Sequence, residues 1–323
     1  MDGVGPKLAE KIGRARQECD AESELALCRR MAVRVIPRED PGYPPPLRNI
    51  PDPPSLVYWK GQVEQRDQLA IAIVGSRHCT PYGARIAERL AGALARTGFT
   101  IVSGLARGID AAAHRGALQA GGRSLAVLAN GLASVYPPEH EDLARALVEA
   151  GGLLSEMPMR QVPLAGLFTQ RNRLISGLSL GVVVVEATPR SGSLSTARHA
   201  MEQNREVFAV PGPVDSLSSR GCHGLIRDGA RLVETVDDIL EELGPLVQEV
   251  QISPAEPPVR HPAELALSEP ERSLLGQLDD TPVGVDELIG RTGLTASQVL
   301  ATLSLLELKR LVRRLAGHRF VRA

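Results

Sequence analysis

At 323 residues, 43% of them hydrophobic, the chain has material for one large domain and one or two small ones, each with a buried core. Lys plus Arg number 37 and Asp plus Glu 38, so the formal net charge is −1 and a general polycation is excluded. Any nucleic-acid contact must come from local clusters of positive charge, and with 3% aromatics base stacking is confined to a few sites.

Cys19, Cys28, Cys79 and Cys222 show no C-x-x-C spacing, so neither a metal site nor a disulfide framework is expected. No apolar run approaches the roughly 18 residues of a membrane span, and the start MDGVGPKLAEK has no apolar signal core. The expectation is a cytoplasmic protein without a membrane span.

Residues 1–35 read as a partial helical domain. The turn Gly3-Val4-Gly5-Pro6 precedes a helix with Leu8, Ala9 and Ile12 on one face. It reads equally as a capped amphipathic helix or as the second half of a helix-hairpin-helix, whose glycines would expose N–H groups to phosphate. The first half of such a hairpin would precede Met1, so a truncated start is an expectation of the second reading.

Residues 36–60 are proline-dense and should run extended, lying on the next domain through Leu47, Ile50, Leu56, Val57 and Trp59. From residue 70 to 243, β-rich runs alternate with Ala-rich helical segments. Strands are expected at Ala70–Val74, Thr100–Ser103, Ser124–Ala129, Leu153–Ser155, Val182–Glu186 and Val207–Val210. Helices are expected at Tyr82–Arg96, Ala111–Gln119, Glu139–Ala150, Asn172–Gly177 and Leu194–Gln203. The pattern is that of an α/β, Rossmann-like, doubly wound and mostly parallel sheet, and residues 36–243 form that core. Residues 244–267, rich in Pro and Glu, read as a linker. Residues 268–323 give helix, helix, helix, hairpin, the winged-helix order, with Leu300, Leu303 and Leu306 on one face of the third helix.

Ligands of doubly wound sheets sit beyond the carboxyl ends of the strands, where this chain places its Gly/Ser-rich turns. Gly75-Ser76-Arg77 follows the first strand: glycine admits an anion to the backbone, serine donates a hydroxyl and arginine adds charge-assisted bonds. The second turn carries Arg107 and Gly108, with Asp110 as cap of the next helix. Asp110 and His114 stand one helical turn apart, but no nucleophile accompanies them as an acid–base pair. Phe168 is the stacking candidate ahead of a short helix, or a core residue. Arg171, Asn172 and Arg173 beside it would hold phosphate, or one arginine pairs with Glu156 or Glu186. Ser191, Gly192 and Ser193 open another helix whose free N–H groups face the crevice. Glu186 orients an arginine or caps a backbone group, with general base as the other option, and Cys222 in its Gly-Cys loop is read as structural despite nearby helical N–H groups. Lys309, Arg310, Arg313, Arg314 and Arg319 form a basic face on the winged helix, suited to phosphate or to protein contact.

The stretches DPGYPPPLRNIPDPPSLVYWKG, AIVGSR, SGLARGIDAAAHRGAL, VLANGL, VYPPEH, LLSEMP, RNRLISGLS, SGSLSTARHAMEQNREVFAVPG and SRGCHGLIRDGA, in this order over residues 36–235, resemble the DNA-processing protein A (DprA, or Smf) family. The resemblance implies a core that binds single-stranded DNA, dimerises, and helps load the RecA recombinase in natural transformation, with no catalysis, cofactor or metal. It assigns Gly75, Ser76 and Arg77 to a phosphate-holding turn and Phe168, Arg171, Asn172 and Arg173 to an F-x-x-RN-R segment. Thr169 and Gln170 depart from the family's proline and basic residue there, which would weaken one phosphate contact. Two other functions are consistent with a Rossmann-like pocket and a winged helix: a phosphoribohydrolase-type enzyme, whose P-G-G-x-G-T turn is missing here, and a transcription regulator with a sensing core.

Overall fold

A computed structural model describes residues 20–243, 267–279, 281–309, 311–315 and 317–322, with positions 5, 10, 13 and 264. The expected helix-hairpin-helix turn and most of the linker lie outside the described residues. One nine-stranded sheet organises the chain, in the order β1-β2-β6-β5-β4-β3-β7-β8-β9. Its strands are β1 (Val33–Pro37), β2 (Leu56–Gly61), β3 (Ala70–Gly75), β4 (Thr100–Ser103), β5 (Ser124–Val127), β6 (Gly151–Ser155), β7 (Gly181–Val185), β8 (Glu206–Ala209) and β9 (Arg231–Leu232). From β6 to β9 every pairing is parallel. Ile71, Ile73, Ile101 and Val183 are completely buried, as continuous apolar strands covered on both faces must be.

The helices follow in order: α1 (Ala21–Arg30), α2 (Pro45–Arg48), α3 (Pro81–Arg96), α4 (Ile109–Gln119), α5 (Glu141–Ala150), α6 (Ala165–Gly177), α7 (Ser193–Glu202), α8 (Arg220–Arg227) and α9 (Val236–Leu243). One core cluster joins Leu174, Ile175, Ala197 and Cys222 to one face of the sheet. A second joins Ile86, Leu90, Leu94, Ala113 and Ile239 to the other. The chain runs outward from β3 to β6, then returns to pair β7 with the other side of β3. The strand order reverses there, so a crevice opens beyond the carboxyl ends of β3 and β7.

The proline-dense segment is more regular than expected. Prolines 45 and 46 occupy the first turn of α2, where a missing N–H costs nothing, and β2 joins the sheet antiparallel to β6. Leu47, Ile50, Val57 and Trp59 are buried as anchors, while Leu56 is half-buried. β1 pairs antiparallel with β2, so sheet structure begins at Val33. Helix α6 starts at Ala165, seven residues before the expected Asn172, and Phe168 therefore belongs to a helix rather than to the turn before it.

The C-terminal unit contains α10 (Glu269–Leu275), β10 (Val283–Gly284), α11 (Val285–Thr292), α12 (Ala296–Leu308) and the hairpin β11 (Val312–Leu315) and β12 (Arg319–Arg322). Its winged-helix core is its own, built from Leu274, Leu288, Val299, Leu303, Leu306 and Phe320 among others. Leu300 does not share that face: it is 47% exposed while Leu303 and Leu306 are buried.

Candidate nucleic-acid interface

Close backbone approach builds the crevice. The Ser76 N–H donates to Glu186 O at 2.8 Å, tying the turn after β3 to the end of β7. A Cβ on Gly75 would stand 1.8 Å from Val185 O, so only glycine allows the turn to run there. Gly108 performs the same service from the neighbouring loop: its φ is +74°, and a Cβ would meet Ser76 O at 2.2 Å. Ile109 N–H then donates to Ser76 O at 3.1 Å. Gly108 therefore shapes the Gly-Ser-Arg turn from behind and does not line the crevice.

Glu186, itself in the left-handed region at φ +52°, sends its carboxylate to the start of α3. Thr80 donates its N–H to Oε2 at 2.8 Å and its hydroxyl to Oε1 at 2.5 Å. A carboxylate at a helix N-terminus is favoured by the free N–H groups and the helix dipole. Of the options for Glu186, backbone capping is the one present.

The crevice encloses about 760 Å³. Gly75, Ser76, Arg77, Phe168, Arg171, Asn172, Ser191, Gly192 and Ser193 all line it. Arg77 is exposed, and its guanidinium carbon lies 4.8 Å from the centroid of the Phe168 ring. Phe168 in turn meets Tyr136, ring centroids 5.8 Å apart and tilted by 55°. Tyr136, from the VYPPEH loop, lines the same crevice and was not singled out in the sequence, where nothing local marks a tyrosine before two prolines as part of a site. On the opposite wall, Ser191 Oγ and Ser193 Oγ are 2.7 Å apart and Asn172 Nδ2 donates to Gly192 O at 3.2 Å. Open space lies over Gly192, so the start of α7 is accessible.

Three arginines of similar expectation have different fates. Arg77 projects freely. Arg171 is buried in the floor, where Nη1 donates to Gly104 O at 2.8 Å and to Val127 O, and Nε to Asn172 Oδ1 at 3.3 Å. It ties the ends of β4 and β5 together. Burial pushes its pKa down to about 10, against the attraction of Asp110, so it stays cationic at neutral pH. Arg173 turns away from the crevice. Its Nη2 pairs with Glu156 at 2.7 Å and its Nε with Asp52 at 3.0 Å, which is the Glu156 pairing foreseen for one of the two arginines. These carboxylates occupy the guanidinium, so the phosphate-holding role expected of Arg173 is not supported by its surroundings. Arg107 also stays off the crevice lining, paired with Glu139 at 2.5 Å in a half-exposed ion pair.

Asp110 does not cap α4. Its Oδ2 accepts N–H bonds from Gly104 at 3.1 Å and Ala106 at 3.3 Å and so holds the turn before the helix, while burial raises its pKa. His114 is completely buried, with Nδ1 2.8 Å from Ser124 Oγ. Burial pulls its pKa down to about 3, helped by the nearby His140 and Arg171 charges, so it is neutral at physiological pH. Cys222 is buried too: its thiol points at Val184 O, 3.6 Å away, and burial lifts its pKa to about 11, the reverse of a reactive thiolate.

The basic run of the C-terminal unit does not form one face. Lys309 is bound to Glu271 at 2.7 Å, and Arg310 lies outside the described residues. Arg314 pairs in register with Phe320, whereas Leu315 pairs with Arg319. Because neighbours along a strand alternate, Arg313 and Arg319 share one side of the hairpin and Arg314 the other.

A Rossmann-like sheet with a crevice of glycine turns, small hydroxyls, an exposed arginine and paired aromatic rings at its switch point defines an anion-binding α/β protein with an appended winged helix. The chain belongs to the DNA recombination-mediator protein A family, whose model matches residues 34–244; the DprA winged helix domain matches residues 256–318. It is 43% identical over 288 residues to Protein Smf of Escherichia coli, covering 89% of this chain and 77% of that one. It is 35% identical to Protein Smf of Synechocystis over 351 residues, covering 100% of this chain and 88% of the relative. The crystal structure of DNA processing protein A from Streptococcus pneumoniae superposes with a TM-score of 0.67 at 39% identity, over 74% of this chain and 83% of that one. The Helicobacter pylori protein, solved for its single-stranded DNA binding mode, gives 0.60 at 29% identity, over 67% and 97%.

Proposed function

We propose that the switch-point crevice holds the sugar–phosphate backbone of single-stranded DNA, and that the protein acts by gripping strands rather than by breaking bonds. The observation that carries this reading is the sequence of groups along one trough: the helix start at Ser191-Gly192-Ser193, the Ser76-Arg77 turn, and the Phe168 and Tyr136 rings. Phosphates suit the first two, and base faces suit the rings. The single-stranded DNA binding of the H. pylori relative supports it. The family resemblance extends the reading to a cytoplasmic homodimer that protects incoming strands in natural transformation and helps load RecA.

Binding of labelled oligo-dT across a salt series tests the grip. Log affinity should fall linearly with log salt, and Arg77→Glu should bind more weakly with a shallower slope. Equal affinity and slope for the two proteins would sink the assignment of Arg77. Release of free base from a nucleoside monophosphate would instead establish the phosphoribohydrolase alternative. Assembly of RecA on coated single strands, with and without the protein, tests the loading role.

A further inference from the structure

Helix α12 is apolar on both sides. Val299, Leu303 and Leu306 fill the winged-helix core, yet Leu300, Leu305 and Leu308 are 47%, 49% and 81% exposed. At 100° per residue, Leu300, Ser304, Ser297, Leu308, Ala301 and Leu305 succeed one another around one exposed arc that carries no charge; Glu307 lies beside its edge. A helix apolar all round belongs in a buried setting. The core of this unit is already complete without the outer arc, so that arc lacks a partner within the unit.

In the helix-turn-helix order α12 is the recognition helix, but its exposed arc offers no cation for phosphate and no amide or guanidinium on the Leu300–Ser304–Leu308 ridge for base edges. The arc is instead self-complementary. Turned end for end about Ser304, Leu300 falls opposite Leu308 of the other helix and Leu308 opposite its Leu300. Ala301 and Ser304 at the centre are small enough for two helices to approach, and the i, i+4, i+8 spacing is the ridge used in the commonest helix packing. The uncharged arc avoids like-charge repulsion on the axis. The same inversion carries each Glu307 toward the N-terminal half of the opposing helix, where the dipole favours an acid.

We propose that α12 pairs with α12 of a second copy of this chain, antiparallel and across a two-fold axis at Ser304. The contact is isologous, so it closes on itself. One helix pair is small beside a standard interface, which makes the association weak alone and useful chiefly in joining copies already brought together on a strand. It is independent of the crevice reading.

Cysteine cross-linking of the full-length protein tests it. Ser304→Cys under mild oxidation should give a disulfide-linked dimer several times faster than Ser273→Cys, an exposed position on α10, or than the unmodified sequence. Adding Leu300→Glu and Leu308→Glu should abolish that advantage while leaving the circular dichroism melt in place, since both side chains are exposed. The pairing is overturned if Ser304→Cys links no faster than Ser273→Cys. It is equally overturned if the two glutamates leave cross-linking intact, or if they weaken duplex DNA binding without touching it, which would assign the arc to nucleic acid.

Discussion

Arginines 77, 171 and 173 show how little an arginine's identity says before its neighbours are known. Arg77 has an aromatic face beneath it and solvent around it; Arg171 is enclosed by backbone carbonyls; Arg173 is claimed by two acids. Arg171→Met should therefore act on stability, costing about 3 kcal/mol in chemical denaturation because Gly104 O and Val127 O lose their donor. Arg77→Glu should leave the denaturation midpoint nearly unchanged while weakening DNA. His114 makes a prediction in pH. Its folded pKa is about 3 against an ordinary 6.5, so the unfolded chain takes up a proton first as pH falls. The stability this histidine contributes is complete above pH 6.5 and is lost progressively between about 6.5 and about 3, at up to ~1.4 kcal/mol per pH unit. Thermal melts of His114→Asn should show a shallower decline over that window than the parent protein does.

At the scale of elements, α3 and α6 carry the site, and each depends on something distant in sequence. The start of α3 is held by Glu186, and a Cβ on Gly83 would stand 2.5 Å from that carboxylate. Glu186→Gln retains one acceptor in place of two and should cost about 1 kcal/mol, read by thermal melt together with faster amide exchange in the first turn of α3. The alternation of strands and helices was legible because buried parallel strands are continuously apolar, and β3, β4 and β7 lie within a residue or so of their expected bounds. The edge strands β1 and β2 were not legible. They sit among prolines, and what makes them strands is pairing with β6, about ninety residues further on. The early start of α6 was hidden for a related reason: Leu164-Ala165-Gly166 carries no side-chain cap, and the helix is placed by packing of Leu174 and Ile175.

Over the whole molecule, the α/β core and the winged-helix unit bury different residues, with no member of the third core cluster shared with the first two. Calorimetry should accordingly resolve two transitions, and the Arg171→Met destabilisation should move only the larger one. With net charge near zero, attraction for DNA has to be local, so the salt slope should report a few phosphates rather than a polyelectrolyte coat.

Taken alone, the order of apolar runs and Gly/Ser turns established a doubly wound sheet, the end of it where ligands sit, and the turns that would meet there. That much follows from local sterics and periodicity, which short stretches of chain carry in full. Which side chains stay free was decided only by tertiary structure. Whether an arginine meets a ring, a carbonyl or a carboxylate, whether Tyr136 reaches Phe168, and whether Leu300 turns inward or outward each depend on groups far apart in the chain. Their distances exist only once the sheet has closed.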